Sequence, residues 1–168
     1  MMKEDMNNNA SVRYVISRWI TPQTIELKMR TTNRDMALQE LVSKVPDIAH
    51  QPAAKQILYR ALQEREQLCS TGVGDGVAIP HARNALVGLV DHPVIVFGRH
   101  ETGINFGSID GQPAKLFFLL VAPTVRDHLQ LLARLSKILR DPKVRQDLMK
   151  AETVEKVISI IRDAEQNL

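Results

Sequence analysis

Cysteine is almost absent from this sequence. Cys69 is the only one, which excludes an internal disulfide and any cysteine-cluster zinc site and fits a reducing compartment. Long apolar runs are missing too: nothing approaches the roughly 18 consecutive apolar residues of a membrane span. The start MMKEDMNNNA has no apolar signal core. The expected location is cytoplasmic, with no direct membrane insertion. Nor is there a large excess of one charge, because 22 basic and 19 acidic residues are interleaved along the chain. That balance gives no argument for nucleic acid. There is no internal repeat and no low-complexity linker.

What is present is enough for one core: 168 residues, 44% of them hydrophobic. Residues 1–10 are polar and Asn-rich, and read as a disordered leader or a consequence of start-site choice. Residues 11–168 form the expected domain. From Ser11, the residues Val12, Val15, Ile16, Trp19 and Ile20 recur at helical spacing until Thr21-Pro22. Ile25, Leu27 and Met29 then alternate with charged residues, predicting a half-buried strand near 24–30. Asn33 is a helix cap ahead of an apolar pattern that Pro46 stops. A second helix opens after Gln51 with Pro52 in its first turn; it is expected to bury Ile57, Leu58, Ala61 and Leu62 and to end near Glu66.

Strands are predicted at Pro93 to Arg99 and Lys115 to Ala122, with a turn at Asp110-Gly111. After Pro123 comes a helix whose stripe is Leu129, Leu132, Leu135, Ile138 and Leu139, then a short one after Pro142, then a last one carrying Val154, Val157, Ile158 and Ile161. Strands with helices on either side imply a single α/β domain, a mixed β-sheet flanked by helices.

The chemistry gathers in one stretch, CSTGVGDGVAIPHAR from Cys69 to Arg83. It lacks the Gly-Lys-Ser/Thr ending of a phosphate loop and the glycine spacing of a dinucleotide loop. Its glycines allow close backbone approach, and Pro80 holds a rigid lead into His81. Taken alone, such a histidine reads as a surface residue at a strand end. His50, His92 and His100 lie in predicted turns or strand ends without ligand spacing, so they read as surface histidines. No metal site and no cofactor are expected, since neither His81 nor His128 has metalloprotease spacing to another ligand.

The segment STGVGDGVAIPH, the pair Arg65-Glu66 upstream of it and the run Arg126-Asp127-His128-Leu129 after FFLLVAP together resemble a known family. They are similar to the enzyme IIA components of the fructose, mannitol and nitrogen-regulatory branch of the bacterial phosphotransferase system. The resemblance runs from about Ser11 to Ala164. It implies a mannitol-type enzyme IIA-like α/β/α sandwich, phosphorylation of His81, an arginine at Arg65 beside the phosphohistidine and a second active-site histidine at His128. The sequence departs at Ala82-Arg83, where many members carry Gly-Lys, which bears on partner preference.

These residue types suit the chemistry. A neutral imidazole nitrogen attacks phosphorus, and a free histidine with a pKa of about 6.5 is mostly neutral at pH 7. Arg65 offers a permanently charged donor fork to the spread charge of a transferring phosphoryl group. His128, in the first turn of a helix beginning near Thr124, can donate from a neutral tautomer. Ser70 and Thr71 either hydrogen-bond phosphate or satisfy backbone groups in the turn, with Thr71 the better phosphate candidate. Cys69 reads as a filler residue.

The resemblance implies phosphoryl transfer from HPr, or its nitrogen-branch paralogue, to the cysteine of an enzyme IIB domain. No IIB or IIC segment is joined to this sequence, so separate partner chains are expected. The alternative is a nitrogen-related regulatory protein whose phosphorylation state controls binding to kinases, transporters or other targets. A hydrolase is disfavoured, because no residue is placed to activate water.

Overall fold

The computed structural model describes residues 13–168. The leader expected at residues 1–10 lies outside the described residues, as do Ser11 and Val12 of the predicted opening helix. The rest of that helix is a single turn, α1 (Ile16–Trp19), flanked by extended residues at Val15 and Ile20. Strand β1 is only Ile25–Glu26, paired in parallel with the strand that contains Phe97 and Gly98. The expected strand over 24–30 is interrupted because the Glu26 carboxylate accepts the Lys28 N–H at 3.1 Å and the backbone bends. The chain rejoins the sheet at Met29, whose N–H donates to Arg99 O at 2.9 Å.

Asn33 caps α2 (Arg34–Val42) by accepting the Met36 N–H at 2.9 Å. Helix α3 (Pro52–Leu68) buries Ala54, Leu58, Leu62 and Glu66, one residue per turn. Ile57, expected inside, is 55% exposed because it lies one step round from that stripe.

Next come β2 (Gly72–Gly74), β3 (Val77–Ala78), β4 (Val94–Ile104) and β5 (Ala114–Val121), followed by α4 (Val125–Ile138), α5 (Pro142–Lys150) and α6 (Val154–Gln166). β4 runs past its predicted end at Arg99 through a break in register before Ile104. His100 sits at that break with its ring buried, and its Nδ1 accepts the Gly103 N–H at 2.9 Å. It is therefore not the surface histidine expected. On α4 the buried face is His128, Leu131, Leu135 and Ile138, while Leu129 is 59% exposed; the stripe is shifted from the expected one.

The sheet order is β1-β4-β5-β3-β2, mixed in direction: β4 and β5 are antiparallel, and β3 runs parallel to β5. Alternate residues of β4 and β5 feed two cores. Ile95, Phe97, Leu116, Phe118 and Leu120 pack under α1 and α4 to α6, whereas Val94, Val96, Phe117, Leu119 and Val121 pack under α2 and α3. The result is the α/β/α sandwich expected from the sequence. Among the described residues, no helix is long and apolar enough to cross a membrane.

Candidate functional site

The site is built where the carboxyl ends of β3 and β5 meet. After α3, Cys69 to Thr71 lead into the β2–β3 hairpin, whose turn needs three successive left-handed residues: Gly74 (φ 93°), Asp75 (φ 57°) and Gly76 (φ 78°). The Asp110 carboxylate anchors this turn by accepting the Asp75 N–H at 2.9 Å. A Cβ on Gly74 would stand 3.1 Å from that carboxylate. Beyond β3 the chain stays against β5, with Leu120 N–H donating to Pro80 O at 3.0 Å and His81 bridged to Leu120. β5 then passes through Pro123 to Thr124, whose hydroxyl caps α4 by accepting the Asp127 N–H at 3.1 Å. His128 follows on the same turn. The two parallel strand ends thus bring residues 47 positions apart in sequence to a ring-centroid separation of 5.4 Å, His81 against His128.

The half-buried His81 ring has its Nδ1 2.6 Å from Ile79 O. A carbonyl oxygen only accepts, so Nδ1 carries the proton and Nε2 keeps its lone pair. Burial holds the His81 pKa below the usual histidine value; the charges of His128 and Arg65 act in the same direction, and the Ile79 bond opposes them. His128 is buried, and burial lowers its pKa too. Both rings are therefore neutral at neutral pH, and Nε2 of His81 is unprotonated.

Arg65, on the last turn of α3, donates from Nη1 to Cys69 O, and its charge is felt at His81. It lines an open groove with Ala82 and Arg83, the residues that depart from the family pattern. Cys69 itself is exposed.

The two hydroxyls named from the sequence are turned inward. Ser70 Oγ donates to Phe106 O and accepts the Gly72 N–H at 2.9 Å. Thr71 is buried and its hydroxyl donates to a Glu66 carboxylate oxygen. Of the two readings left open for this pair, local satisfaction of the turn is the one found, and Thr71 offers no free hydroxyl to a phosphoryl group.

Sequence reasoning gave no role to Glu66, which is 3% exposed and holds the loop through Thr71. It also missed Arg13, whose Nε and Nη2 grip both Asp127 oxygens at 2.8 and 2.6 Å beside His128. Arg65-Glu66 and Asp127-His128 were visible as pairs, but a carboxylate beside a site residue carries no sign of what it bonds.

Residues 18–164 match the family described as "Phosphoenolpyruvate-dependent sugar phosphotransferase system, EIIA 2". The "PTS system fructose-specific EIIABC component" of Bacillus subtilis (strain 168) is 37% identical over 148 residues, 87% of this chain but only 23% of that protein's length. A "Nitrogen regulatory protein" of Bradyrhizobium diazoefficiens is 33% identical over 148 residues, covering 87% of this chain and 94% of that one. The crystal structure of nitrogen regulatory protein IIA-Ntr from Neisseria meningitidis superposes with a TM-score of 0.77 at 28% identity, covering 87% of this chain and 98% of that chain. With the fold, the paired histidines and these matches in agreement, the chain belongs to the EIIA type-2 family of the phosphoenolpyruvate-dependent sugar phosphotransferase system, as a phosphoryl-transfer component.

Proposed function

We propose that His81 is the phosphoryl carrier and Nε2 its accepting atom. The observation that carries this reading is the Nδ1–H bond to Ile79 O at 2.6 Å, which leaves Nε2 as the ring nitrogen with an unshared pair. In the first step Nε2 attacks the phosphorus of phospho-HPr, or of its nitrogen-branch paralogue. A new N–P bond forms as the donor's bond to phosphorus breaks, and no proton has to leave His81 before attack. In the second step a thiolate of an enzyme IIB domain attacks the same phosphorus. His81 departs with the electron pair and returns to its neutral tautomer.

Arg65 neutralises charge on the phosphoryl oxygens, and His128 donates to one of them across the 5.4 Å between the rings. Ser70 and Thr71 serve by shaping the loop. The chain works in the cytoplasm, between protein partners. Sugar uptake is supported by the fructose-specific name of the Bacillus subtilis relative. A second reading, regulation by phosphorylation state, is supported by the Bradyrhizobium diazoefficiens relative, of which this chain covers 94%.

The test is incubation with phosphoenolpyruvate, enzyme I and HPr, followed by intact mass measurement. One acid-labile phosphoryl group is expected on the parent protein and none on His81→Ala. Full labelling of His81→Ala would overturn the assignment.

A further inference from the structure

Glu66 is an unusual group to bury. Its carboxyl sits at the end of α3, 3% exposed, and burial pushes its pKa up, opposed by its bonds to Thr71 and by the charges of Arg34 and Arg65. An uncompensated buried carboxylate is costly, so its bonds matter. Both known partners are on one residue: the Thr71 N–H donates to Oε2 at 2.9 Å and the Thr71 hydroxyl donates to Oε1. Thr71 does not stop there, because its carbonyl accepts the Ile79 N–H at 3.0 Å. Ile79 O in turn accepts the Nδ1–H of His81 at 2.6 Å.

A continuous chain of hydrogen bonds therefore leads from the end of α3 to the nucleophile: Glu66 to Thr71, Thr71 to Ile79, Ile79 to His81. Each link is a donor on the loop matched to an acceptor behind it. The neighbouring Arg65 is tied to the same turn through Cys69 O. One helix end thus holds the charged group and the nucleophile's support in a common frame.

We infer that Glu66 is a positioning residue for His81: through Thr71 it sets the place of the Ile79 carbonyl, which in turn fixes the His81 tautomer that leaves Nε2 free to take the phosphoryl group. The inference rests on the proposed role of His81. It assigns Glu66 no contact with the phosphoryl group. If the Ile79 carbonyl moves, Nδ1 loses its acceptor, the proton is free to sit on Nε2, and the attacking lone pair is lost from part of the population.

Glutamine can preserve the link. Its amide oxygen accepts the Thr71 N–H, and its NH2 donates to the Thr71 hydroxyl once that hydroxyl turns to accept. Alanine cannot.

The experiment uses the full chain, with nitrogen-15 NMR of the imidazoles to read the His81 tautomer and single-turnover labelling by phospho-HPr to read the rate. The parent should show the Nδ1–H tautomer. Glu66→Ala should populate the Nε2–H tautomer and slow labelling by about 10- to 100-fold, the scale of losses from small misplacement. Glu66→Gln should restore both. A folded Glu66→Ala with the parent's tautomer overturns the inference, whatever its rate. If Glu66→Ala does not fold, Thr71→Val takes its place: a mixed tautomer supports the relay and an unchanged one overturns it. Failure of the parent to accept phosphate would instead count against the carrier role, since the tautomer is read without phosphorylation.

Discussion

The β4–β5 ladder and the β2–β3 hairpin belong to one sheet but are held in opposite ways. In the ladder, almost every residue from Val94 to Gly98 and from Leu116 to Val121 is buried, and alternate side chains fill the two cores. Phe97 packs edge-on against Phe118 with centroids 5.2 Å apart. Non-directional burial gives that region its stability. The hairpin has only a few paired residues and is placed by polar links from Asp110, Ser70, Thr71 and Glu66. Hydrogen bonds contribute less net stability than apolar burial, but they specify direction. His81, the proposed phosphoryl carrier, hangs from the part of the sheet where direction matters.

The largest test of this contrast is Phe118→Ala. It leaves a cavity between β4, β5 and α4 and should cost about 3–5 kcal/mol in urea unfolding. The labelling rate of the molecules that remain folded should stay near the parent's. A rate that fell in step with stability would erase the distinction between the two regions.

Arg99 offers a second, smaller probe. It leaves β4 to donate to the carbonyls of Leu27, Leu148 and Ala151, tying the bend after β1 to the end of α5. Its guanidinium serves as a helix C-terminal cap. Arg99→Met keeps most of the stem and strands these carbonyls, at a cost of about 1–3 kcal/mol, read as a lowered urea midpoint. His81 labelling by the folded protein should again be nearly unchanged.

The smallest effect sharpens the hairpin side of the comparison. Burial first, then the charges of His128 and Arg65, holds His81's pKa below the usual value of about 6.5. Labelling should therefore fall off at a lower pH than it would for a free histidine. The linkage has the same sign: between the depressed folded pKa and the unfolded value the unfolded chain binds more protons. This histidine's contribution to stability is thus complete above the unfolded pKa and is lost as pH falls towards the folded one. NMR titration of Arg65→Ala should show the His81 pKa rising only part of the way back, because burial remains. A full return to the free value would assign the depression to Arg65 instead.

The helices were legible wherever a local cue marked them: Asn33 as a cap, Pro52 in a first turn, Pro46 as a stop, Pro123 ahead of a start near Thr124. The central strands were legible as apolar runs. The irregular part of β4 was not, because His100, Glu101 and Thr102 break the apolar pattern and lie in a gap of the pairing with β5, which resumes only at Ile104. Ile57 and Leu129 were misplaced for a related reason. An apolar residue at the margin of a helical stripe can face either way, and only the neighbouring layer decides.

At the site, His81, His128 and Arg65 were named as candidates from motif and resemblance, each through the residues beside it in the chain. Their supports were not. Arg13 meets Asp127 across 114 positions, and Glu66 reaches His81 through two intervening residues of the loop. The amino-acid sequence by itself determined the helix boundaries set by caps and prolines, the apolar strands of the core, and the histidine presented by a glycine-rich approach, because these follow from neighbours along the chain. Only the tertiary structure decided which nitrogen of His81 is free, which hydroxyls are spent inside the loop and which carboxylates hold the site. Those depend on partners that the chain brings together only after the sheet has formed, and a hydrogen bond has no sequence signature when its donor and acceptor are distant.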